Sequence, residues 1–146
     1  MPKHLKLDSL PHRYAAFIEP MDCLPVSKLP EGADWVWEIK LDGYRAVAVK
    51  HDDGVAIWSR KRKSLNRQFP YIAEALSGLP PGTVIDGELV AIDDRGRPDF
   101  NLLQNFKSAA KRIQFYVFDL LCYENRDLTH LDLVKRREML VVGVHH

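Results

Sequence analysis

Cysteine is scarce in this chain, and the two present, Cys23 and Cys122, stand in no CxxC or Cys/His spacing. That removes support for a zinc site or a disulfide framework and predicts two free, core-type thiols. Long apolar runs are missing too: nothing approaches the roughly 20 residues that a bilayer-spanning helix needs. The charged opening MPKHLKLD has no apolar signal-peptide core. A cytoplasmic protein with no membrane partner is therefore expected. Charge of one sign is not in excess either, since 21 Lys and Arg stand against 20 Asp and Glu for a net +1. The chain is no polycation, and any affinity for nucleic acid has to come from local clustering. There is no internal repeat and no low-complexity segment.

What is present is an ordinary globular composition, 46% hydrophobic and 28% charged over 146 residues. That suits one compact domain or a piece of a larger one, with a core that needs neither metal nor disulfide. Residues 1–34 are punctuated by Pro11, Pro20, Pro25, Pro30 and Gly32 and read as extended chain and turns, with a short strand at 14–18. Trp35, Trp37, Ile39 and Leu41 then alternate with Val36, Glu38 and Lys40, the period of a strand with one apolar face. Residues 45–50 and 55–59 are further strand-like runs, joined by the hairpin signal His51-Asp52-Asp53-Gly54.

A helix is predicted over 69–76, with Pro70 in its first turn and Gly78 as its stop. A strand interrupted by Gly87 follows over 83–92, then a turn at 93–98 and a helix over 100–110 with Leu102, Leu103 and Phe106 inward. IQFYVFDLLC, residues 113–122, is the most β-like run and is expected to be central and buried. Residues 128–142 suggest a surface helix, with leucines at 128, 131, 133 and 140 around a charged Lys135-Arg136-Arg137-Glu138 face. Strands and helices in this irregular order, with hairpins, argue for an α+β fold with mainly antiparallel sheets and flanking helices.

The chemistry concentrates in EIKLDGYR. On a strand Glu38, Lys40 and Asp42 share a face, and burying an ammonium is costly unless it is paired or used. An isolated strand lysine ordinarily lies at an edge with its head in water. The functional alternative is a nucleophilic amine, neutralised by desolvation or a neighbouring cation such as Arg45, which also offers a fork for phosphate. Gly43 would let backbone come close to a ligand. Lys-x-Asp-Gly-x-Arg arises by chance only about once in thousands of chains this long. Further on, Glu88 shares a strand face with Asp86, and two carboxylates there want a cation, a hydroxyl or a proton. Arg60, Lys61, Arg62, Lys63 and Arg67 crowd one loop, suited to phosphate contact with no base-reading pattern, or to a plain solvated surface.

EIKLDGYR resembles the active-site motif of the covalent nucleotidyltransferases, and four further segments follow in the family's order. WSRKRKSL resembles the second element, VIDGELVAID the Asp-Gly-Glu strand, FYVFDLLCYENRDL the Phe-Asp-Leu strand, and LTHLDLVKRREML the helix after it. GRPDFNLLQN is similar to ATP-dependent DNA ligases in particular, above all the ligase module of bacterial end-joining DNA ligase D. The likeness covers roughly residues 19–140. It implies an ATP-grasp-like DNA ligase nucleotidyltransferase fold, with 1–34 an N-terminal extended segment and 35–146 a partial adenylation domain.

It also implies roles. Lys40 would attack the α-phosphorus of ATP and hold AMP as a phosphoramidate, and the AMP would pass to the 5′-phosphate of nicked or broken double-stranded DNA in repair. Glu38 would sit by the adenine edge, and Arg45 would contact sugar and phosphate. Glu88 would bind the ribose hydroxyl, and Phe118, on the resemblance alone, would stack on adenine. Mg2+ is expected near Asp42 and Glu88, and the basic loop Arg60, Lys61, Arg62, Lys63 and Arg67 would hold DNA. Ligases usually carry glycine where this chain has Arg62. The implied setting is the bacterial cytoplasm at the nucleoid.

The family's later Glu-Gly and Lys-x-Lys strands are not found here, so an incomplete fold and crippled stand-alone adenylation are expected. The partner would be the missing half, a second copy or an end-joining protein. The competing readings are a non-catalytic DNA- or nucleotide-binding remnant or half of a split ligase, and an RNA ligase or mRNA guanylyltransferase. The retained Lys40, Glu88 and Phe118 speak against the remnant. The Phe-Asp-Leu strand and DFNLLQ speak against the capping enzyme.

Overall fold

The computed structural model describes residues 5–105 and 112–143. Its first regular pair is the hairpin of β1 (Tyr44–His51) and β2 (Gly54–Ser59), with His51 opposite Gly54 and Asp52-Asp53 as a two-residue turn. Such short connections hold antiparallel neighbours in one register. β3 (Thr83–Ala91) pairs with the other side of β1, β4 (Ile113–Tyr123) with β3, and the two-residue β5 (Arg126–Asp127) with the end of β4. The result is one fully antiparallel sheet in the order β2-β1-β3-β4-β5. β4 therefore lies next to the edge, not at the centre. Its β-branched and aromatic content signals strand formation, which says nothing about strand order, and β3 takes the middle.

Alternation along the strands makes two packed faces. Ala46 and Ala48 of β1, Ile57 of β2, Ile85 and Leu89 of β3 and Leu120 of β4 face one cluster. That cluster is closed by Phe69 and Ile72 at α1 (Pro70–Ala75), Leu103 of α2 (Phe100–Gln104) and Met139 of α3 (Leu133–Gly143). The opposite face carries Val47, Val49, Val84, Leu121 and Cys122, packed by Ala15, Phe17 and Ile18 of the N-terminal segment. The segment stays extended: beyond the 3-10 turn Leu7–Ser9, the His12–Arg126 bridge is its single β contact among the described residues. The short strand expected at 14–18 is thus plain extended chain, anchored by Ala15 N–H on the Asn125 side chain (3.1 Å).

Pro70 opens α1 as the sequence predicts, and Asp99 caps α2 by accepting from Leu102 N–H at 3.2 Å. Residue 106, expected to face inward, and the rest of that helix to 110 lie outside the described residues. α3 begins at Leu133, leaving Leu128 and Leu131 in the turn before it. One member of its charged face is not at the surface: Arg136 is buried and makes a fork on buried Asp119, Nε to Oδ1 at 2.8 Å and Nη2 to Oδ2 at 3.0 Å. Its Nη1 donates to the Leu131 carbonyl at 2.6 Å. An arginine counts as polar in a periodicity reading, and only the carboxylate on β4 makes its burial affordable.

The strand expected over 35–41 is not formed. These residues form no regular secondary structure and are nearly all exposed, Ile39 to 87%, and β1 starts only at Tyr44, where pairing with Leu89 begins. Alternation defines an apolar face, but a strand also needs a neighbour, and no described strand runs beside this stretch. Both cysteines are free; Cys122 is buried, which pushes its thiol up to about 11, whereas Cys23 is exposed rather than core-type. Among the described residues no helix is long and apolar enough to cross a membrane.

Candidate functional site

Two of the sequence motifs meet at the start of β1. A Cβ on Gly43 would lie 2.0 Å from the Leu89 carbonyl oxygen, so glycine is what lets the chain enter the sheet against β3. Its N–H donates to the Glu88 carboxylate. One step into the strand, Arg45 makes a two-pronged bond with Asp86, Nε to Oδ1 and Nη2 to Oδ2 both at 2.7 Å. Arg45 pairs with Glu88 in register, and Asp86 lies two residues before it. The cation that Asp86 and Glu88 were expected to want is therefore Arg45, bonded to the first and acting on the second through space. The hydrogen bond to Asp86 holds the Arg45 guanidinium above its ordinary value. Desolvation raises Glu88, with Arg45 opposing the shift.

Phe118 joins this group through an irregularity. The β3–β4 register steps from Asp86–Asp119 to Gly87–Val117, leaving Phe118 as the extra residue of a bulge. Bulges re-aim side chains, and here the ring lies under the Arg45 guanidinium, 4.9 Å from centroid to Cζ. Gly87 is required opposite, since a Cβ there would meet the Tyr116 carbonyl at 2.4 Å. Arg45, Asp86, Glu88 and Phe118 thus form one half-open patch on the sheet. Asp86 is the member to which the family resemblance gave no role.

The basic loop borders it. Ser59 closes the loop, donating N–H to the Lys63 carbonyl (2.8 Å), accepting Arg62 N–H (2.9 Å) and accepting Lys63 N–H at Oγ (3.0 Å). Asn66 ties its far side to β2, accepting from Ile57 N–H and donating to the Val55 carbonyl, both at 2.7 Å. Arg62 takes a left-handed φ of 60°, the conformation that explains a glycine at this position in ligases, and its guanidinium covers Phe17 at 5.5 Å. Arg60 pairs with Asp22 and acts on Glu88 through space. Lys61, Lys63 and Arg67 point to solvent.

The remaining motif residues lie outside the patch. Lys40 and Asp42 are exposed on the segment before β1, and Glu38 pairs with Arg137 of α3. A concavity of about 500 Å³ between Tyr14, Lys50, the β1–β2 turn and Asn125 lies at the other end of β1. The candidate site is accordingly an open sheet surface. Among the described residues no three His, Cys, Asp or Glu side chains cluster as a metal site.

Comparison with solved structures gives the class. The ligase domain of M. tuberculosis LigD superposes with a TM-score of 0.61 at 31% identity, over 72% of this chain and 35% of that one. A mycobacterial DNA ligase D complexed with ATP and MES gives 0.60 at 31%, over the same shares. The five-stranded antiparallel sheet with its helices is thus the nucleotidyltransferase fold of ligase domains. The multifunctional non-homologous end joining protein LigD of Pseudomonas aeruginosa is 37% identical over 114 residues, 76% of this chain and 14% of that protein. The family model for the ATP dependent DNA ligase domain matches residues 20–145. The chain belongs to that family. It spans only a minor part of each of these relatives.

Proposed function

We propose that this chain carries the nucleotide-capturing part of an ATP-dependent DNA ligase. Lys40, as the neutral amine, attacks the α-phosphorus of ATP. A nitrogen–phosphorus bond forms, the bond to pyrophosphate breaks, the amine proton passes to solvent, and AMP stays on Lys40 as a phosphoramidate. AMP then moves to the 5′-phosphate of broken DNA, freeing Lys40, and a 3′-hydroxyl displaces it to seal the strand.

The observation that carries this reading is the Arg45–Asp86 fork with Phe118 beneath it, because it joins the lysine motif and the Asp-Gly-Glu motif into one surface. Arg45 meets sugar and phosphate, Phe118 offers a ring for the base, and Glu88 accepts from the ribose hydroxyl. Glu38 reads the adenine edge. Because Lys40 lies on exposed, unpaired chain, the 35–42 segment has to fold over the patch before attack.

Magnesium fits the donor chemistry, since it is commonly held by one or two carboxylates plus substrate phosphates, and Asp42 and Glu88 would hold it. When bound, it neutralises phosphate charge. Arg60, Lys61, Arg62, Lys63 and Arg67 contact the DNA backbone beside the patch. The LigD relatives point to end joining as the repair setting and to end-joining proteins as partners. The cytoplasm, at the nucleoid, is where that substrate lies.

The test is the intact mass of the chain after incubation with ATP and Mg2+, beside Lys40→Ala. A gain of one AMP in a small fraction of the chain, absent from the variant, is the expected result. A chain that, like Lys40→Ala, gains no mass at all overturns stand-alone adenylation.

A further inference from the structure

Residues 17–22 of the N-terminal segment meet the arginines of the patch and the basic loop at successive points. Phe17 lies under the Arg62 guanidinium at 5.5 Å, and Pro20 is buried. The Met21 carbonyl accepts from Arg45 Nη2 at 3.4 Å, and the Asp22 carboxylate pairs with Arg60. One short run of chain thus engages Arg45, Arg60 and Arg62 together.

These contacts differ in kind. Phe17 packs on the Val47 and Val49 face of the sheet, so it and Pro20 anchor the run through apolar burial. Asp22 anchors nothing of that sort, since its side chain is 75% exposed and that of Arg60 is 51% exposed. Exposed ion pairs are weak and are screened by salt. The loop does not need this pair to keep its shape. Ser59 closes it through bonds with Arg62 and Lys63, and Asn66 ties its far side to β2. What Asp22 does supply is an anion on a half-exposed arginine at the head of a cationic loop. A carboxylate and a phosphodiester offer a guanidinium the same thing, acceptor oxygens with a negative charge.

We propose that Asp22 occupies the phosphate position on Arg60 and is exchanged for a DNA phosphate when the loop binds. The inference rests on the reading of the basic loop as a DNA contact. Asp22 then sets the affinity: it keeps Arg60 paired in the free chain, and DNA has to displace it. The anchors at Phe17 and Pro20 keep the carboxylate close, so the pair reforms when DNA leaves.

The test is binding of the whole chain to a fluorescein-labelled nicked duplex, read by anisotropy over a salt series. ATP is left out, so the adenylation assay is judged separately. Asp22→Asn should bind about two- to fivefold tighter than wild type at low salt, a gain that fades as salt screens the pair. Arg60→Gln should bind more weakly, with a salt slope shallower by about one. In the Arg60→Gln background, Asp22→Asn should bring no gain. An Asp22→Asn chain that binds like wild type overturns the proposal. So does an equal gain with and without Arg60, which traces the effect to net charge alone. If none of the four proteins binds the duplex, the proposal and the DNA role of the loop fall together, while adenylation still answers to the mass of the chain.

Discussion

Replacing Asp119 by alanine would leave the buried Arg136 guanidinium without its carboxylate. Both side chains are about nine-tenths hidden from solvent, and the fork consists of two charged hydrogen bonds of 2.8 and 3.0 Å. Hydrogen bonds to charged groups contribute about 1.5–3 kcal/mol each, and breaking one side of a buried pair costs about 3–5 kcal/mol. That is a large share of the roughly 5–15 kcal/mol by which domains are stable. With a urea dependence of about 2 kcal/mol per molar, the unfolding midpoint should fall by roughly 2 M. Asp119→Leu with Arg136→Met removes both charges and strands neither, losing the donor to the Leu131 carbonyl and the acceptor of the Leu120 N–H. It should lie within about 2 kcal/mol of wild type. Urea unfolding followed by tryptophan fluorescence and circular dichroism reads all three proteins. A single variant that loses under about 1 kcal/mol, or a double variant as unstable as the single, would falsify the view that an orphaned charge sets the cost.

Two other perturbations bear on the patch itself. Gly43→Ala brings a methyl group to 2.0 Å from the Leu89 carbonyl and 3.2 Å from Glu88 Cγ, so β1 and β3 must separate at their ends. A loss of about 1–3 kcal/mol in urea unfolding is expected, and a neutral substitution would contradict the close approach. Glu88 is raised above 4.5 chiefly by desolvation, so the folded chain holds its proton more tightly than the unfolded one. Its contribution is full below the unfolded value and is lost as pH rises through the folded one. Asp93, held down first by the Arg97 backbone N–H, runs the opposite way, losing its contribution as pH falls. The difference between wild type and Glu88→Gln isolates the first effect: unfolding midpoints from about pH 4 to 7 should decline less in the variant, and equal slopes would refute the assignment.

Local signals carried much of the fold. The Asp52-Asp53 turn, Pro70 at the head of α1 and the runs that became β3 and β4 depend on neighbouring residues, and each formed where its pattern stood. Properties that depend on a distant partner were not legible. Residues 35–42 have a strand's alternation but no neighbouring strand among the described residues. Arg136 has a surface residue's charge and a buried carboxylate to meet. β4 has strong β character and an off-centre place. The patch divides the same way. The shared face of Asp86 and Glu88 and their want of a cation follow from alternation, but the choice of Arg45, 41 residues back along the chain, needs the β1–β3 register. The bulge that turns Phe118 toward that arginine leaves no mark in spacing, because it is one extra residue between the Asp86–Asp119 and Gly87–Val117 pairings.

The Arg45–Asp86 fork also bears on the order of events expected during folding. The β1–β2 hairpin closes through two residues, while β1 meets β3 only after the chain between His51 and Thr83 has been looped back. Closing the longer loop costs more entropy and is the slower step. In a chain leaving the ribosome, Arg45 can enter its hairpin once Ser59 is out but has no carboxylate to bind until Asp86 follows. The Phe118 ring arrives later still, and Asp119 then waits for Arg136. The patch is expected to assemble from the amino-terminal side outward, its cation first, its anchor second and its aromatic floor last.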